Sequence, residues 1–320
     1  MRIGNLDVKA GQTVQGKIEF GEIAEGNPFE MPIRVARGAD DGPTVWVNAA
    51  IHGDELEGTA GLWQVFDTIA NLRLKGTLIG ALITNVSAFQ AMRRTSPIDD
   101  LDLNRVFPGD PNGSFTLQLA HAYKKTVESV ATHYIDLHGG GNNFDVVFYT
   151  IHRDGDGDAS RVSREMAQVA GSTIVWSSRD RWLDHGLFAL LTNSGIPSLI
   201  VEAGGEGRVR SRNVAAHAGS VLNVLKYLGM IPGAASPMAI EAPVRSADFF
   251  VSHRAGIWLS DHLVGDQVHR GDLIGVVKDR YGCEVEEVRC EAEHGILLAL
   301  RTYAAAPSGS NLGIVGVIQQ

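Results

Sequence analysis

The alternation of apolar and polar residues divides the chain into three textures. Residues 14–20 and 31–36 alternate with a period of two around the Gly- and Pro-containing stretch 21–29, which predicts an antiparallel hairpin. Beyond it, short β-rich apolar runs at 44–47, 77–84, 134–137, 146–151, 173–176 and 198–201 alternate with segments whose apolar residues recur every three and four positions. Those helical segments are 56–71, 116–131, 159–169, 187–193 and 213–228. Such alternation predicts an α/β fold, a twisted sheet with helices on both faces. The helical pattern stops at Gly229, and Met230-Ile231-Pro232-Gly233-Ala234-Ala235-Ser236-Pro237 follows, rich in Pro, Gly and small residues. A domain boundary is placed there: residues 1–234, with the hairpin in about 1–40, form one domain, and residues 235–320 form a second. In the second, Gly punctuates short strands, as in Gly256-Ile257-Trp258 and Gly271-Asp272-Leu273-Ile274-Gly275, which predicts a small all-β C-terminal domain.

The 320 residues include 28 Lys+Arg against 37 Asp+Glu, a formal charge of −9, with 44% hydrophobic residues, so disorder and collagen-like repeats are excluded. A negative chain without a dense Lys/Arg run argues against a nucleic-acid or membrane partner, while a local Arg cluster could still hold a small anion. Cys283 and Cys290 make no disulfide framework and read as free, half-buried thiols. The N-terminus lacks a basic segment followed by an apolar run, and no apolar stretch of about 18 residues occurs, so the expected location is cytoplasmic. A homo-oligomer is the expected state.

Chemistry concentrates where predicted strands end. In Val47-Asn48-Ala49-Ala50-Ile51-His52-Gly53-Asp54-Glu55, a strand runs into a helix, and His52 and Glu55 are spaced to face one point, as a zinc site requires. The plainer reading is a loop histidine and a carboxylate at a helix start. Tyr134-Ile135-Asp136-Leu137-His138-Gly139-Gly140-Gly141 offers a third ligand in His138, glycines that leave room for a substrate, and Asp136 as an acceptor behind the histidine. A histidine bonded to backbone in the core is the alternative. Glu202 terminates the apolar run of Ser198-Leu199-Ile200-Val201-Glu202-Ala203-Gly204-Gly205, and a buried Glu needs a partner or a function. It could act as general base and then general acid, or form a structural salt bridge. Between these motifs lies Arg93-Arg94-Thr95-Ser96-Pro97-Ile98-Asp99-Asp100-Leu101-Asp102-Leu103-Asn104-Arg105-Val106-Phe107-Pro108-Gly109. Asn104 and Arg105 are suited to anchor a substrate carboxylate, unless the three aspartates simply pair with the arginines at the surface.

In order, His-Gly-Asp-Glu, Asp-Leu-Asn-Arg-Val-Phe-Pro-Gly, Asp-Leu-His-Gly-Gly and Val-Glu-Ala-Gly-Gly resemble the succinylglutamate desuccinylase and aspartoacylase family, of the zinc carboxypeptidase-like superfamily. The resemblance spans about residues 40–230 and implies that superfamily's mixed sheet with helices on both faces, plus a β-rich C-terminal domain. It makes His52, Glu55 and His138 the ligands of one Zn²⁺ per chain, with water in the fourth position. Glu202 matches the general base, and Asn104 and Arg105 match the pair that grips the amino-acid carboxylate. An arginine upstream is expected to hold the oxyanion. Here the spacing departs from the short form of the motif, because Arg94 stands ten residues before Asn104. Arg94 is preferred to Arg93 because the Arg-Thr-Ser-Pro form looks like the subgroup that includes N-acetyl-diaminobutyrate deacetylases. The implied activity is that of a metal-dependent amidohydrolase acting on linear amides. Glu-assisted attack of zinc-bound water would cleave a small N-acyl amino acid to a carboxylate and a free amine. Acetyl, succinyl and formyl groups all fit the motifs.

The C-terminal segment resembles a barrel-sandwich module of the biotinyl and lipoyl type, but Arg280 stands at the carrier-lysine position and cannot form the amide. Lys278 nearby is the remaining candidate; shaping the substrate entrance or supporting oligomerisation is the preferred role. Asp154-Gly155-Asp156-Gly157-Asp158 partly fits a calcium loop, yet Ala159 replaces the required Gly and a strand precedes it, so it reads as a surface turn. Two rival functions are a zinc carboxypeptidase acting on short peptides and a non-catalytic metal- or ligand-binding relative. The second would need a ligand or base to be missing, and none is.

Overall fold

The computed structural model describes residues 1–235 and 237–318; Ser236 of the inter-domain stretch and residues 319–320 of the expected C-terminal domain lie outside the described residues. The opening hairpin forms as its alternation predicts. Strands Thr13–Glu22 and Pro28–Arg37 pair antiparallel, with Val14 opposite Val35 and Ile18 opposite Met31, and Ile18, Phe20, Met31, Ile33 and Val35 are buried.

Among the described residues, twelve strands join in one mixed sheet. From edge to edge they are Gln267–His269, His294–Arg301, Asn311–Ile318, Ala242–Val251, Ile174–Ser178, Phe144–Arg153, Ser198–Gly205, His133–His138, Asp40–Ala49, Lys75–Ala81, Pro28–Arg37 and Thr13–Glu22. The strand Asp40–Ala49 is parallel to both its neighbours, and Ser198–Gly205 is parallel to His133–His138. The carboxyl ends of these strands therefore share one edge, where Ala49 lies beside Leu137 and Glu202 beside His138. Alternation sends Trp46 to one face and Val45 and Val47 to the other. Helices Phe115–Val130 and Leu187–Asn193 cover the Trp46 face; Glu57–Ile69, Asp158–Val169 and Ser211–Tyr227 cover the opposite one.

The run 77–84 is shorter as a strand than expected, ending at Ala81. The N–H groups of Thr84 and Asn85 turn to the Ala49 and Ala50 carbonyls, and Asn85 caps a helix at Val86–Gln90. Five residues are too few for a helical period to show in the sequence.

From Ala242 onward the described residues form strands and turns without a helix. Four of those strands extend the large sheet. Ala242–Val251 runs parallel to Ile174–Ser178, and His294–Arg301 also pairs with Phe144–Arg153. The rest form a second sheet, in the order Glu284–Arg289, Leu273–Lys278, Gly256–Leu259 and Ala305–Ala306. An apolar core that includes Phe250, Trp258, Ile274, Leu297 and Val315 joins the two sheets. Hydrogen bonding is thus continuous across the region where the composition changes. Arg280 lies between Leu273–Lys278 and Glu284–Arg289, its guanidinium 5.8 Å from the Tyr281 ring. Cys283 is exposed and Cys290 buried, so the two thiols differ instead of both being half-buried; burial pushes the Cys290 thiol up. Among the described residues no helix is long and apolar enough to cross a membrane.

A buried polar chain ties the Phe115–Val130 helix to the sheet. Trp46 Nε1 donates to the Tyr123 hydroxyl at 2.8 Å, which donates to Asn48 Oδ1 at 2.8 Å, and Thr84 donates to the same oxygen. Asn48 Nδ2 donates in turn to Asp136. Replacing the phenol strands the Trp46 N–H in a dry core, so Tyr123→Phe is expected to lower stability by about 1–3 kcal/mol. Urea unfolding with an unchanged m-value measures it; an unaltered midpoint would show that the chain contributes nothing.

Candidate metal and catalytic site

At the end of Asp40–Ala49 the buried Ala50 takes a positive φ of 48°, a conformation that costs a non-glycine residue on the order of 1–3 kcal/mol. It turns the chain out of the strand, and the Glu55 N–H then bonds back to the His52 carbonyl at 3.2 Å. Gly53 between them admits no side chain, since a Cβ would lie 2.0 Å from the Ala88 carbonyl carbon. His52 and Glu55 thereby become buried against the neighbouring strand end that carries His138. The glycines after His138 do line the cavity, but they also serve close packing. A Cβ on Gly140 would lie 2.2 Å from the Phe144 carbonyl oxygen.

His52, Glu55 and His138 converge. His52 Nδ1 lies 2.8 Å from Glu55 Oε1, His138 Nδ1 lies 2.9 Å from Glu55 Oε2, and the two Nδ1 atoms are 3.2 Å apart. Each far ring nitrogen has a carboxylate behind it: Asp102 Oδ1 is 3.0 Å from His52 Nε2, and Asp136 Oδ2 is 3.2 Å from His138 Nε2. Imidazoles that ligate a metal through one nitrogen are oriented in this way by an acceptor at the other. Two imidazoles and one carboxylate also suit a borderline metal such as zinc better than an all-oxygen cation, so the residues present fit that ion. Burial disfavours the Glu55 anion, yet the His52 and His138 rings hold its carboxyl well below the usual carboxylate range. Burial likewise opposes charge on His138, and Asp136 and Glu55 outweigh it and raise the ring well above its ordinary value.

A cavity of about 380 Å³ opens onto this cluster, and Arg94, Asn104, Arg105 and Glu202 all line it. Glu202 stands beside His138 across the parallel strand pair and therefore on the same sheet face. Arg94 donates from Nε to Asp102 at 2.9 Å and from Nη1 to Glu55 at 3.1 Å, and its side chain remains 42% exposed, within reach of a ligand. Arg93 turns away to the Thr95 and Ser96 carbonyls and to Asp100. Arg105 donates to the Asn104 carbonyl at 2.9 Å and lies 5.3 Å over the Trp182 ring. Burial and the adjacent Arg94 charge lower its guanidinium, against the pull of Asp102. Asn104 is more engaged than a free anchor: its Oδ1 accepts the Leu187 N–H at 3.1 Å and its Nδ2 lies 3.1 Å from His138 Nε2. With the His138 Nε2 proton turned to Asp136, the Asn104 amide has nothing to donate to there, which leaves an Nδ2 hydrogen for a ligand.

Asp102 was readable only as a surface partner of the arginines. It instead caps the short 3₁₀ turn Leu103–Arg105 through the Asn104 N–H and bridges His52 to Arg94, and these charges, acting against burial, hold its carboxyl far below the usual range. Asp136 lies behind His138 as its alternation with that residue allows. His185 bonds to the Phe107 carbonyl and is not among the described residues lining the cavity. Asp154 is held by Arg164 and Arg179, in keeping with a surface turn.

Burial pushes the Glu202 carboxyl up to about 8; Glu55 adds to this, while His138 and Arg94 pull it back. An acid raised in the folded state keeps its proton after the unfolded chain has lost it, so the fold loses stability as the pH rises from about 4.5 to about 8. In chelator-treated protein, Glu202→Gln is expected to remove this loss. Its stability advantage over the parent should grow through that window to a few kcal/mol, at about 1.4 kcal/mol per tenfold change in proton affinity. Denaturant titrations across pH test it, and parallel pH profiles for both proteins would contradict it.

Known proteins resemble the chain over most of its length. A family model described as the succinylglutamate desuccinylase/aspartoacylase catalytic domain matches residues 41–228. The N-alpha-acetyl-L-2,4-diaminobutyric acid deacetylase of Halomonas elongata is 27% identical over 296 residues, covering 90% of this chain and 86% of that protein. The crystal structure of a succinylglutamate desuccinylase/aspartoacylase from Rhodobacter sphaeroides superposes with a TM-score of 0.86 at 25% identity, covering 100% of this chain and 99% of the other. The product-bound ectoine utilization protein EutE (DoeB) from Ruegeria pomeroyi shares the fold, with a TM-score of 0.87 at 24% identity over 98% of each chain. With more than half its length matched by that catalytic domain, the chain belongs to the succinylglutamate desuccinylase/aspartoacylase family.

Proposed function

We propose that the protein is a zinc-dependent hydrolase that cleaves the amide bond of a small N-acyl amino acid to a carboxylate and a free amine. The observation that carries this reading is the convergence of His52 Nδ1, His138 Nδ1 and Glu55 on one point, with Glu202 on the same sheet face and two arginines lining the same cavity. The family membership and the deacetylase named among the relatives support the reaction class. His52, Glu55 and His138 would hold the zinc. When bound, zinc supplies Lewis acidity to the acyl carbonyl and brings the pKa of a water down to about 7.

Glu202 performs the proton transfers. It draws a proton from the attacking water as the water oxygen bonds to the acyl carbon, then delivers that proton to the amide nitrogen as the C–N bond breaks. Its raised proton affinity suits it to carry the proton between those two steps, and a cation at the histidine cluster would bring that affinity down. Arg94 presents its charge where the carbonyl oxygen becomes negative. Arg105 and the spare Asn104 hydrogen hold the carboxylate of the amino-acid half. The mutual repulsion of Arg94 and Arg105 favours an anion between them, which gives that carboxylate its place.

Two measurements test the reading. Chelator treatment is expected to abolish hydrolysis of N-acyl amino acids, with recovery on adding zinc. Glu202→Gln should retain zinc in a chelator-competition titration while kcat falls by about 10²–10⁴-fold. Full activity in that variant would remove Glu202 from the mechanism, and activity untouched by exhaustive chelation would remove the metal.

A further inference from the structure

The cavity has two chemically distinct halves. Among the described residues lining it, every charged side chain belongs to the strand-end cluster: Asp54, Glu55, Arg94, Asp102, Arg105 and Glu202. The other half is an uncharged and mostly apolar wall, with Asn143, Asn311 and the Tyr149 phenol as its polar groups, and the sheet register explains the apolar floor. Tyr149 pairs with Glu202, Ile151 with Ile200, and Trp176 with Ile151, so these side chains continue the face that carries Glu202, away from the strand end. Trp182 and Phe249 stand over that floor, with the Trp182 ring 5.8 Å from Trp176 and 5.2 Å from Phe249. Phe249 comes from the Ala242–Val251 strand, beyond the segment matched by the family's catalytic domain.

Resting on the amide-hydrolase reading above, we propose that the cavity selects N-acyl amino acids with an uncharged apolar or aromatic side chain and the α-carboxylate as their one negative group. The carboxylate fixes the direction. Held at Arg105, whose guanidinium lies over the Trp182 ring, it brings the substituent on the adjacent carbon against Trp182 and from there along Ile151, Ile200 and Phe249. A second carboxylate, as on an aspartyl or glutamyl side chain, meets no cation on that wall. The two lining arginines are committed elsewhere, Arg94, beside Asp102 and Glu55, to the acyl oxygen and Arg105 to the first carboxylate. A side-chain ammonium would lose its water there with no carboxylate on that wall, and the Trp182 face, already under the Arg105 guanidinium, would return only part of the cost. An apolar pocket distinguishes substrates by tens to hundreds of fold for small changes in buried hydrocarbon, and a charged group placed there is rejected more strongly.

The test compares zinc-loaded protein on N-acetyl-phenylalanine, N-acetyl-leucine and N-acetyl-methionine with N-acetyl-aspartate, N-succinyl-glutamate, Nα-acetyl-diaminobutyrate and N-acetyl-glycine. Each compound is also titrated calorimetrically into Glu202→Gln protein, so that binding is read without turnover. The apolar set is expected to exceed the charged set at least tenfold in kcat/KM and to bind more tightly. Phe249→Ala should lower kcat/KM for N-acetyl-phenylalanine about tenfold, through KM, and lower it less for N-acetyl-glycine. Hydrolysis that favours the dicarboxylates or the diaminobutyrate compound overturns this inference and leaves the amide-hydrolase reading standing. Tighter binding of the apolar set with no hydrolysis of any compound supports the inference and overturns that reading. Neither hydrolysis nor ordered binding overturns both, and an equal effect of Phe249→Ala on the phenylalanine and glycine compounds also overturns the inference.

Discussion

Asp102 and Asp136 each stand behind an imidazole, at 3.0 Å from His52 Nε2 and 3.2 Å from His138 Nε2, in a place largely closed to bulk water. A buried carboxylate favours a proton on the ring nitrogen that faces it, through a hydrogen bond from His52 to Asp102 and through charge at His138, where Asp136 Oδ2 is at ion-pair distance. That fixes both rings with their other nitrogens turned inward on Glu55. The cost of burying so many acids is offset by partners drawn from separate parts of the chain: Arg94 for Asp102 and Glu55, and Asn48 for Asp136. Asn48 in turn belongs to the polar chain through Tyr123 and Trp46 that fastens the helix layer to the sheet. The geometry at the cavity mouth is therefore continuous with the packing of the core.

The same economy explains why the acidic composition misleads as a guide to the ligand. A formal charge of −9 describes the whole chain, whereas the cavity sets two arginines against a group of buried acids, with indole, phenol and aliphatic side chains beyond them. Long-range repulsion of anions by the surface and short-range attraction at the arginines act on different length scales.

Much of the fold was legible because its signals are local. Period-two alternation in the hairpin, and apolar runs alternating with helical periods, follow from which face each residue buries, and His52, Glu55, His138 and Glu202 stood out because polar residues ended apolar strands. What escaped detection depends on contacts distant in sequence. Asp102 reads as a surface charge until the 3₁₀ turn swings it under His52, fifty residues earlier in the chain. The helix Val86–Gln90 is too short to carry a period. The extension of the large sheet by the C-terminal strands leaves no trace in composition, since a strand that joins an existing sheet reads like one that starts a new sheet.

That extension bears on how the chain is made. The strand Phe144–Arg153 is flanked on both sides by strands synthesised soon after it, but its Phe144–Val146 end also pairs with His294–Arg301, chain made about 150 residues later. Closing so long a loop is slow, because its entropy is lost before the contact repays it. Until then Ile151, Trp176 and the neighbouring sheet edge lack their final cover, and a nascent chain at that stage presents both an apolar surface and unpaired backbone groups. The strands that finish the cavity also cover that edge, so one set of residues both closes the sheet and shapes the pocket.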